Sequence, residues 1–175
     1  MRKIILFITT SLDGYIAREN GDIDWLFTDG DYGYKDFVES VDTVLMGGVT
    51  YRQVLDFGGE WPYKTKRSFV FTSDVSYQNN DDVNFVHHDI GQFVKELKDE
   101  EGKNIWLVGG GQINSLLLNE GLIDEMWIYL HPVILGSGIP LFHGDVKESW
   151  FEIHNIEEYD SGLVKMIYHK KPDHI

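Results

Sequence analysis

The sequence predicts an α/β protein with a mostly parallel, mixed sheet that is flanked by helices and ends in an antiparallel hairpin. Short apolar runs alternate along the chain with stretches of helical periodicity, a pattern typical of parallel sheets with helical crossovers. Most of the apolar runs are continuous, as expected of strands that are covered on both faces. The turn sequence Asp160-Ser161-Gly162 separates the last two strand-like segments and indicates the hairpin.

The elements follow from these patterns in chain order. Apolar runs predict strands at residues 3–9, 43–47, 68–72, 83–86, 104–108 and 124–131. Apolar positions spaced by three and four predict helices at residues 32–41, 50–56 and 90–101, and a fourth that contains Ile113, Leu116 and Leu117. The hairpin strands cover residues 150–159 and 162–170. Because no linker interrupts the pattern, residues 1–170 are predicted to form a single domain and residues 171–175 a solvated tail.

Composition narrows the partners and the compartment. The 175 residues, 42% of them hydrophobic, suffice for one domain that buries about 70% of its unfolded surface. A net charge of -14 argues against nucleic acids and anionic membranes as partners. The absence of cysteine excludes disulfides, thiolate metal sites and a cysteine nucleophile. The first apolar run, IILFI, is too short for a secretory signal, so we expect a cytoplasmic protein.

A metal site is not expected from the sequence. His87, His88 and Asp89 are adjacent, and adjacent side chains on a strand point to opposite sides. A third histidine is not near them in the sequence, so a solvated connection is the better interpretation.

Three consecutive glycines, Gly109, Gly110 and Gly111, lie between a predicted strand and a predicted helix. This junction belongs to the carboxyl edge of the sheet, where α/β proteins bind ligands. Glycine lets the backbone approach a ligand closely, and a helix N-terminus offers free N–H groups to a phosphate. One glycine would satisfy the turn alone, but three in succession favour a ligand.

A second junction of the same kind occurs at Gly47 and Gly48, with Thr50 placed to cap the following helix. Two phosphate-competent junctions in one sheet favour a dinucleotide, either a nicotinamide or a flavin cofactor. The glycines match neither the Rossmann fingerprint, because Asn114 replaces its last glycine, nor a P-loop.

Six segments carry a family resemblance that covers nearly the whole chain. They are TTSLDGYIA (9–17), NGDIDWL (20–26), LMGGVTYRQVL (45–55), VFTS (70–73), WLVGGGQINSLLL (106–118) and HPVILGSGIPLF (131–142). With these segments the sequence resembles the dihydrofolate reductase-like superfamily, and within it the reductase domain of riboflavin biosynthesis and its stand-alone bacterial relatives. The resemblance implies a dihydrofolate reductase-like fold, a homodimer, and an NAD(P)H-dependent reductase that acts on a small heterocycle, most closely 5-amino-6-(5-phosphoribosylamino)uracil.

The resemblance also implies which residues bind the cofactor. They are Gly47, Gly48, Val49 and Thr50 along the pyrophosphate and adenosine; Thr72 and Ser73 at the adenosine pocket; Gly109, Gly110, Gly111, Gln112, Ile113 and Asn114 over the pyrophosphate and nicotinamide; and Ile16 and Ala17 beside the nicotinamide. The family often has basic residues where this chain has Gly48 and Asp74, and such residues pair with the 2'-phosphate of NADP. The resemblance implies NADPH as the cofactor. Because both basic residues are missing here, NADH stays open as an alternative, and Arg52 is the candidate substitute cation.

Two carboxylates are candidates for the proton source of a hydride-transfer reaction. In the folate branch a carboxylate follows the Trp of the NGD-x-x-W stretch. After Trp25 this role falls to Asp29 or Asp31, and Asp31 is the better placed because it lies at a helix start. Asp13 in the SLDG segment is the other candidate. Each has a competing structural interpretation, since Asp31 would also cap a helix and Asp13 would also stabilise a turn.

Two further functions stay open. One is a dihydrofolate or pterin reductase, and the other is a nucleotide-binding module without catalysis, because a fold does not determine a function. The phosphoribosyl substrate carries a phosphate, whereas the arginines of the chain form no evident cluster in the sequence. They are Arg2, Arg18, Arg52 and Arg67.

Overall fold

The computed structural model describes residues 1–172. Strands and helices alternate over most of this length, as the sequence predicts. The elements are β1 (Ile4–Thr10), β2 (Tyr15–Ala17), α1 (Tyr34–Ser40), β3 (Val41–Gly47), α2 (Gly48–Asp56), β4 (Arg67–Phe71), β5 (Asn84–Val86), α3 (Ile90–Asp99), β6 (Asn104–Gly109), α4 (Gly111–Asn119), β7 (Glu125–Leu130), β8 (Ile139–Pro140), β9 (Phe151–Glu158) and β10 (Val164–Lys170).

An eight-stranded sheet has the order β5-β4-β3-β6-β1-β7-β10-β9. The strands from β5 to β7 are parallel, and β10 pairs antiparallel with both β7 and β9. The predicted mixed sheet with a terminal antiparallel hairpin is therefore confirmed. Strands β1 and β10, near the two ends of the chain, both belong to this one sheet. The single domain over residues 1–170 stays a prediction.

Helices cover both faces of the sheet, which explains the continuous apolar runs. Successive residues of β1 point to opposite faces, so Leu6 packs in one core cluster and Ile5 in the other. The cluster around Leu6 contains Leu117 of α4, whereas the cluster around Ile5 contains Tyr51 of α2. Helices α2 and α4 therefore lie on opposite faces of the sheet.

Two features of the fold differ from the sequence prediction. A small antiparallel sheet pairs β2 with β8, aligning Tyr15 with Pro140. Its strands are too short to show a periodicity that sequence analysis recognises. The predicted capping role of Thr50 is wrong, because α2 begins two residues earlier at Gly48 and no side chain caps it.

Strand β9 forms an edge of the large sheet and is mostly exposed. Its Ile153 and Ile156 side chains are exposed, which is unusual for isoleucine on a strand. The predicted homodimer stays a prediction. At the start of the predicted tail, the Lys171 N–H donates to the Trp150 carbonyl oxygen, and residues 173–175 lie outside the described residues.

The helices within residues 1–172 do not include one with the length and apolar character needed to cross a bilayer. The cytoplasmic location stays a prediction.

Candidate functional site

A cleft of about 1140 Å³ opens at the carboxyl edge of the parallel strands. Its walls come from the ends of β1, β3, β4 and β6, the first turns of α2 and α4, and the segments around β2 and β8. Pockets for one small ligand commonly measure roughly 300–1,000 Å³. The cleft is thus large enough for two ligands side by side.

The structure brings most of the predicted cofactor residues together at this cleft. Gly109 and Asn114 do not line it, whereas the others do: Ile16, Ala17, Gly47, Gly48, Val49, Thr50, Thr72, Ser73, Gly110, Gly111, Gln112 and Ile113. Shared lining shows that these residues face one space. Their contact with a cofactor stays a prediction.

The cleft exists because β3 and β6 are neighbours whose following helices cover opposite faces. Met46 aligns with Gly109 across the β3–β6 pair, so both strands end at the same level. A Cβ atom on Gly47 would lie 3.8 Å from Cγ2 of Ile113, so the two glycine junctions adjoin. In open α/β sheets, a crevice at such a divergence is the usual ligand site.

Both helix N-termini at this crevice lack side-chain caps. The N-cap residues are Gly47 for α2 and Gly110 for α4, and neither helix receives a side-chain cap hydrogen bond. First-turn N–H groups without partners, together with the helix dipole, favour an anion. Two such termini side by side suit a diphosphate.

The three consecutive glycines serve three different purposes. Gly109 has φ of 112°, a conformation that side chains rarely adopt. A Cβ on Gly111 would lie 2.5 Å from the Pro140 carbonyl oxygen, so close packing of the β8 segment requires glycine there. A Cβ on Gly110 would meet only ordinary contacts, 3.5 Å from Oγ1 of Thr50, and would narrow the cleft. Of the three glycines, Gly110 is therefore the one whose lack of a side chain is best explained by the space that a ligand needs.

Charged groups gather where the cleft meets the end of β4. A Cβ on Gly48 would lie 3.3 Å from Oγ1 of Thr72 and 3.7 Å from Nη1 of Arg52. The His87 Nδ1 lies 2.9 Å from the Thr72 carbonyl oxygen. Hydrogen bonds from Ser76, and then the charges of His87 and Arg52, hold the pKa of Asp74 below its usual value. We call Arg52, Thr72, Asp74 and His87 the basic corner, since it holds the one arginine among the described residues that line the cleft.

Asn114 supports the site from behind. It is fully buried, and its Nδ2 donates to the Leu141 carbonyl oxygen at 2.9 Å. Its Oδ1 has no hydrogen-bond partner and faces Gly109. Asn114 therefore fixes the segment after β8 against α4, and its predicted contact with a cofactor stays a prediction.

The two predicted proton donors lie outside the cleft lining. The Asp13 carboxylate accepts hydrogen bonds from the Ser11 hydroxyl and from the N–H groups of Leu135 and Gly136. These bonds, the one from Ser11 foremost, lower the pKa of Asp13, which thereby stays ionised and joins two loops. Asp31 accepts from the N–H of Lys35 at 3.3 Å, in the first turn of α1. Both aspartates thus have the structural roles that were the alternatives to catalysis: Asp13 stabilises a loop, and Asp31 stabilises the start of α1. Their catalytic role stays a prediction.

Aromatic side chains that the sequence analysis did not select form one end of the cleft. Phe7, Tyr34, Tyr63 and Trp106 line it together, and Trp106 has ring centroids 5.9 Å from Tyr34 and 5.4 Å from Tyr63. These residues come from β1, α1, the segment before β4, and β6, so their proximity has no signal in the sequence. We call them the aromatic end.

His131 holds the loop between β2 and α1, which brings Ile23 and Leu26 to the cleft. The Phe27 N–H donates to Nε2 of His131 at 3.0 Å, so this nitrogen must be unprotonated. The imidazole is 3% exposed, and burial lowers its pKa. Trp25 packs against the same ring edge-on at 5.5 Å. His131 does not line the cleft but positions one of its walls.

Among residues 1–172, no cluster of three or more His, Cys, Asp or Glu side chains is arranged to hold a metal ion. His87, which the sequence analysis interpreted as part of a solvated connection, faces the cleft instead.

The fold and the cleft define a dihydrofolate reductase-like α/β protein. Dihydrofolate reductase from Enterococcus faecalis, solved with NADP(H), superposes with a TM-score of 0.74 at 16% identity, covering 97% of each chain. At that identity the likeness shows the fold alone.

The chain belongs to the RibD C-terminal domain family, which it matches over residues 2–165. It is 40% identical over 165 residues to the uncharacterized protein YwjB of Bacillus subtilis (strain 168), covering 93% of this chain and 95% of that one. A crystal structure from Shewanella sp. PV-4, whose name assigns it to riboflavin biosynthesis, superposes with a TM-score of 0.85 at 34% identity. That likeness covers 98% of this chain and 100% of the other. The recognised family is thereby confirmed.

Replacing Gly111 by alanine tests the packing of the β8 segment. Since the new methyl group would collide with the Pro140 carbonyl oxygen, we expect Gly111→Ala to lower the free energy of unfolding by about 1–3 kcal/mol. Urea unfolding followed by circular dichroism measures the change. The adjacent exposed Gln112→Ala is the control and should stay within about 0.5 kcal/mol. Equal stability of Gly111→Ala and the wild type would contradict this packing.

Protonation of His131 should weaken the protein in acid. Because burial lowers its pKa in the folded state, the unfolded chain binds the proton more readily, near pH 6.5. The free energy of unfolding should thus fall below about pH 6.5, by at most about 1.4 kcal/mol per pH unit from this group.

The measurement is urea unfolding of wild type and His131→Asn at neutral pH and at about pH 5.5. The variant should be less stable at neutral pH but lose less stability on acidification. His88→Asn removes an exposed imidazole and should keep the wild-type pH dependence. Parallel pH profiles for wild type and His131→Asn would contradict the prediction.

Proposed function

We propose that this protein is an NAD(P)H-dependent reductase that transfers a hydride to a small heterocyclic substrate, as a reductase of the riboflavin-biosynthesis type. One observation carries the proposal. A single cleft joins two uncapped helix N-termini, which suit a diphosphate, to an aromatic end, which suits a flat ring. Family membership supports the same reaction class.

The described residues fit a nicotinamide dinucleotide. At Gly110 a side chain would project toward Thr50 inside the cleft, so glycine there leaves space for a ligand open. The first turns of α2 and α4 would hold the diphosphate through backbone N–H groups. The basic corner would hold the adenosine end, and Ile16 and Ala17 would border the nicotinamide.

When bound, a reduced nicotinamide supplies a hydride to one atom of a polar double bond in the substrate. The neighbouring atom must gain a proton, so the protein has to place a donor beside it. Tyr34 and Tyr63 line the aromatic end, and burial raises the pKa of both phenols. As protonated phenols they would donate hydrogen bonds where negative charge develops on the substrate, while the proton itself would come from solvent water that reaches the open cleft.

A pterin or dihydrofolate would also stack on the aromatic end, so a pterin reductase is the second candidate. A nucleotide-binding module without turnover is the third, and it would share the glycine junctions. Oxidation of NADPH or NADH by the purified protein, in the presence of a reducible heterocycle, separates the enzyme from the module. Under the proposal the protein acts as a homodimer in the cytoplasm on a small molecule.

A negative charge placed in the first turn of α2 tests dinucleotide binding. Val49 lies in the first turn of α2, is 62% exposed and lines the cleft. A glutamate there interacts favourably with the helix dipole but repels a diphosphate. We expect Val49→Glu to keep wild-type stability and to weaken NADPH binding at least about tenfold, measured by calorimetry.

Val49→Gln has the same size without the charge and should bind NADPH within about threefold of wild type. If Val49→Glu and Val49→Gln bind NADPH equally well, the diphosphate does not lie at this junction.

The basic corner tests the choice between the two coenzymes. If Arg52 pairs with the 2'-phosphate, Arg52→Ala should lose about tenfold or more in NADPH affinity while NADH affinity changes little. Arg52→Lys keeps the charge and should lose less. Competition between the two coenzymes, followed by fluorescence of the reduced nicotinamide, measures the ratio. Equal losses for both coenzymes would show that Arg52 does not read the 2'-phosphate.

A further inference from the structure

Part of the aromatic end and its surroundings is apolar surface that the described residues leave exposed. Tyr34 is 44% exposed and Phe57, at the end of α2, is 63% exposed, although both line the cleft. Trp106 forms the floor between Phe7 and Tyr63, and its Nε1 donates to the Phe7 carbonyl oxygen at 3.3 Å. The Tyr63 ring stands at 90° to that floor. Rings held at fixed angles around an open space suit a flat ligand that stacks on one and meets the edge of another.

The described lining of the cleft contains few cations. Among the described residues that line the cleft, none is a lysine, and the one arginine, Arg52, lies in the basic corner beside Gly48 and Thr72. His143 lies beside α4, where its backbone N–H donates to the Ser115 hydroxyl in the middle of that helix. Glu19, on the loop after β2, adds a negative charge to the lining.

The remaining arginines do not line the cleft. Arg2 is buried just before the start of β1, at the edge of the sheet opposite the cleft. Its Nε donates to the Lys103 carbonyl oxygen. Arg18 and Arg67 form ion pairs on the surface. The carboxylate partners of Arg2, Arg18 and Arg67 are Asp42, Asp24 and Glu100, respectively. Away from the basic corner, a phosphate would find no lysine or arginine among the described residues that line the cleft.

We propose that the substrate of this reductase is an uncharged, flat heterocycle without a phosphate group, stacked on the aromatic end. The inference rests on the proposed function, and it separates this chain from a reductase that requires the phosphoribosyl group. Flat rings gain affinity from aromatic stacking whatever their substituents, whereas phosphate recognition requires charged hydrogen bonds. This chain provides aromatic rings for stacking. Away from the proposed cofactor side, the described lining of its cleft has no lysine or arginine to recognise a phosphate.

A pair of probes that differ only in the phosphate tests the proposal. They are 5-amino-6-(5-phosphoribosylamino)uracil and the same compound after removal of its phosphate. Calorimetry on the protein saturated with NADP⁺ measures the affinity of each at low and at physiological salt. We expect the dephosphorylated probe to bind at least as tightly as the phosphorylated one, with little effect of salt. NADPH oxidation should show the same order.

A tenfold or greater preference for the phosphorylated probe that weakens with salt would overturn the proposal, because it requires a cationic phosphate site. Binding of neither probe would also overturn it. Neither result would contradict the proposed dinucleotide site. That site is tested separately by NADPH binding to wild type, Val49→Glu and Val49→Gln.

A variant of the aromatic end completes the test. Tyr34→Ala should lower the affinity of the dephosphorylated probe by about 5- to 100-fold, the usual effect of removing a stacking ring, and leave NADPH affinity unchanged. Trp150→Ala removes an exposed aromatic residue outside the cleft lining and should change neither affinity. Unchanged probe affinity in Tyr34→Ala would show that the ring binds elsewhere.

Discussion

The site depends on one constraint, the alignment of β3 with β6. Because Met46 lies opposite Gly109, the two strands end at the same level, and their helices depart to opposite faces. The crevice between them is therefore a product of topology, and it brings two uncapped helix N-termini together. A shift of one residue in this pairing would exchange the faces of every side chain on β6, and would turn Trp106 away from the cleft.

This arrangement explains how a chain with a net charge of -14 can offer a site to an anionic coenzyme. Backbone dipoles act over the first helical turn, so they stabilise an anion locally whatever the overall field. Arg52 adds the one guanidinium of the cleft in the described part of the chain, at the basic corner. Charged side chains are thus grouped at the basic corner, whereas aromatic rings line the aromatic end. The two ends are therefore suited to different ligands.

The walls of the cleft are held by polar residues that do not face it. Asn114 anchors the segment after β8, Asp13 joins the first loop to residues 135 and 136, and His131 holds the loop before α1. Each is a buried or fully bonded group whose replacement would disturb a wall without touching a ligand. Residues selected for chemistry in a motif can therefore serve the geometry of the site, as Asp13 does here.

The sequence by itself determined the fold class, most elements within a few residues, and both glycine junctions, because periodicity and glycine placement are local properties of the chain. It also placed Thr72 and Ser73 at the same cleft through a family resemblance. Only the tertiary structure decided that Asp31 lies outside the cleft, that Gly111 serves packing, and that Tyr34, Tyr63 and Trp106 meet. Those outcomes depend on contacts between distant segments, and such contacts are set by strand order and helix placement, which leave no periodic signal in the sequence.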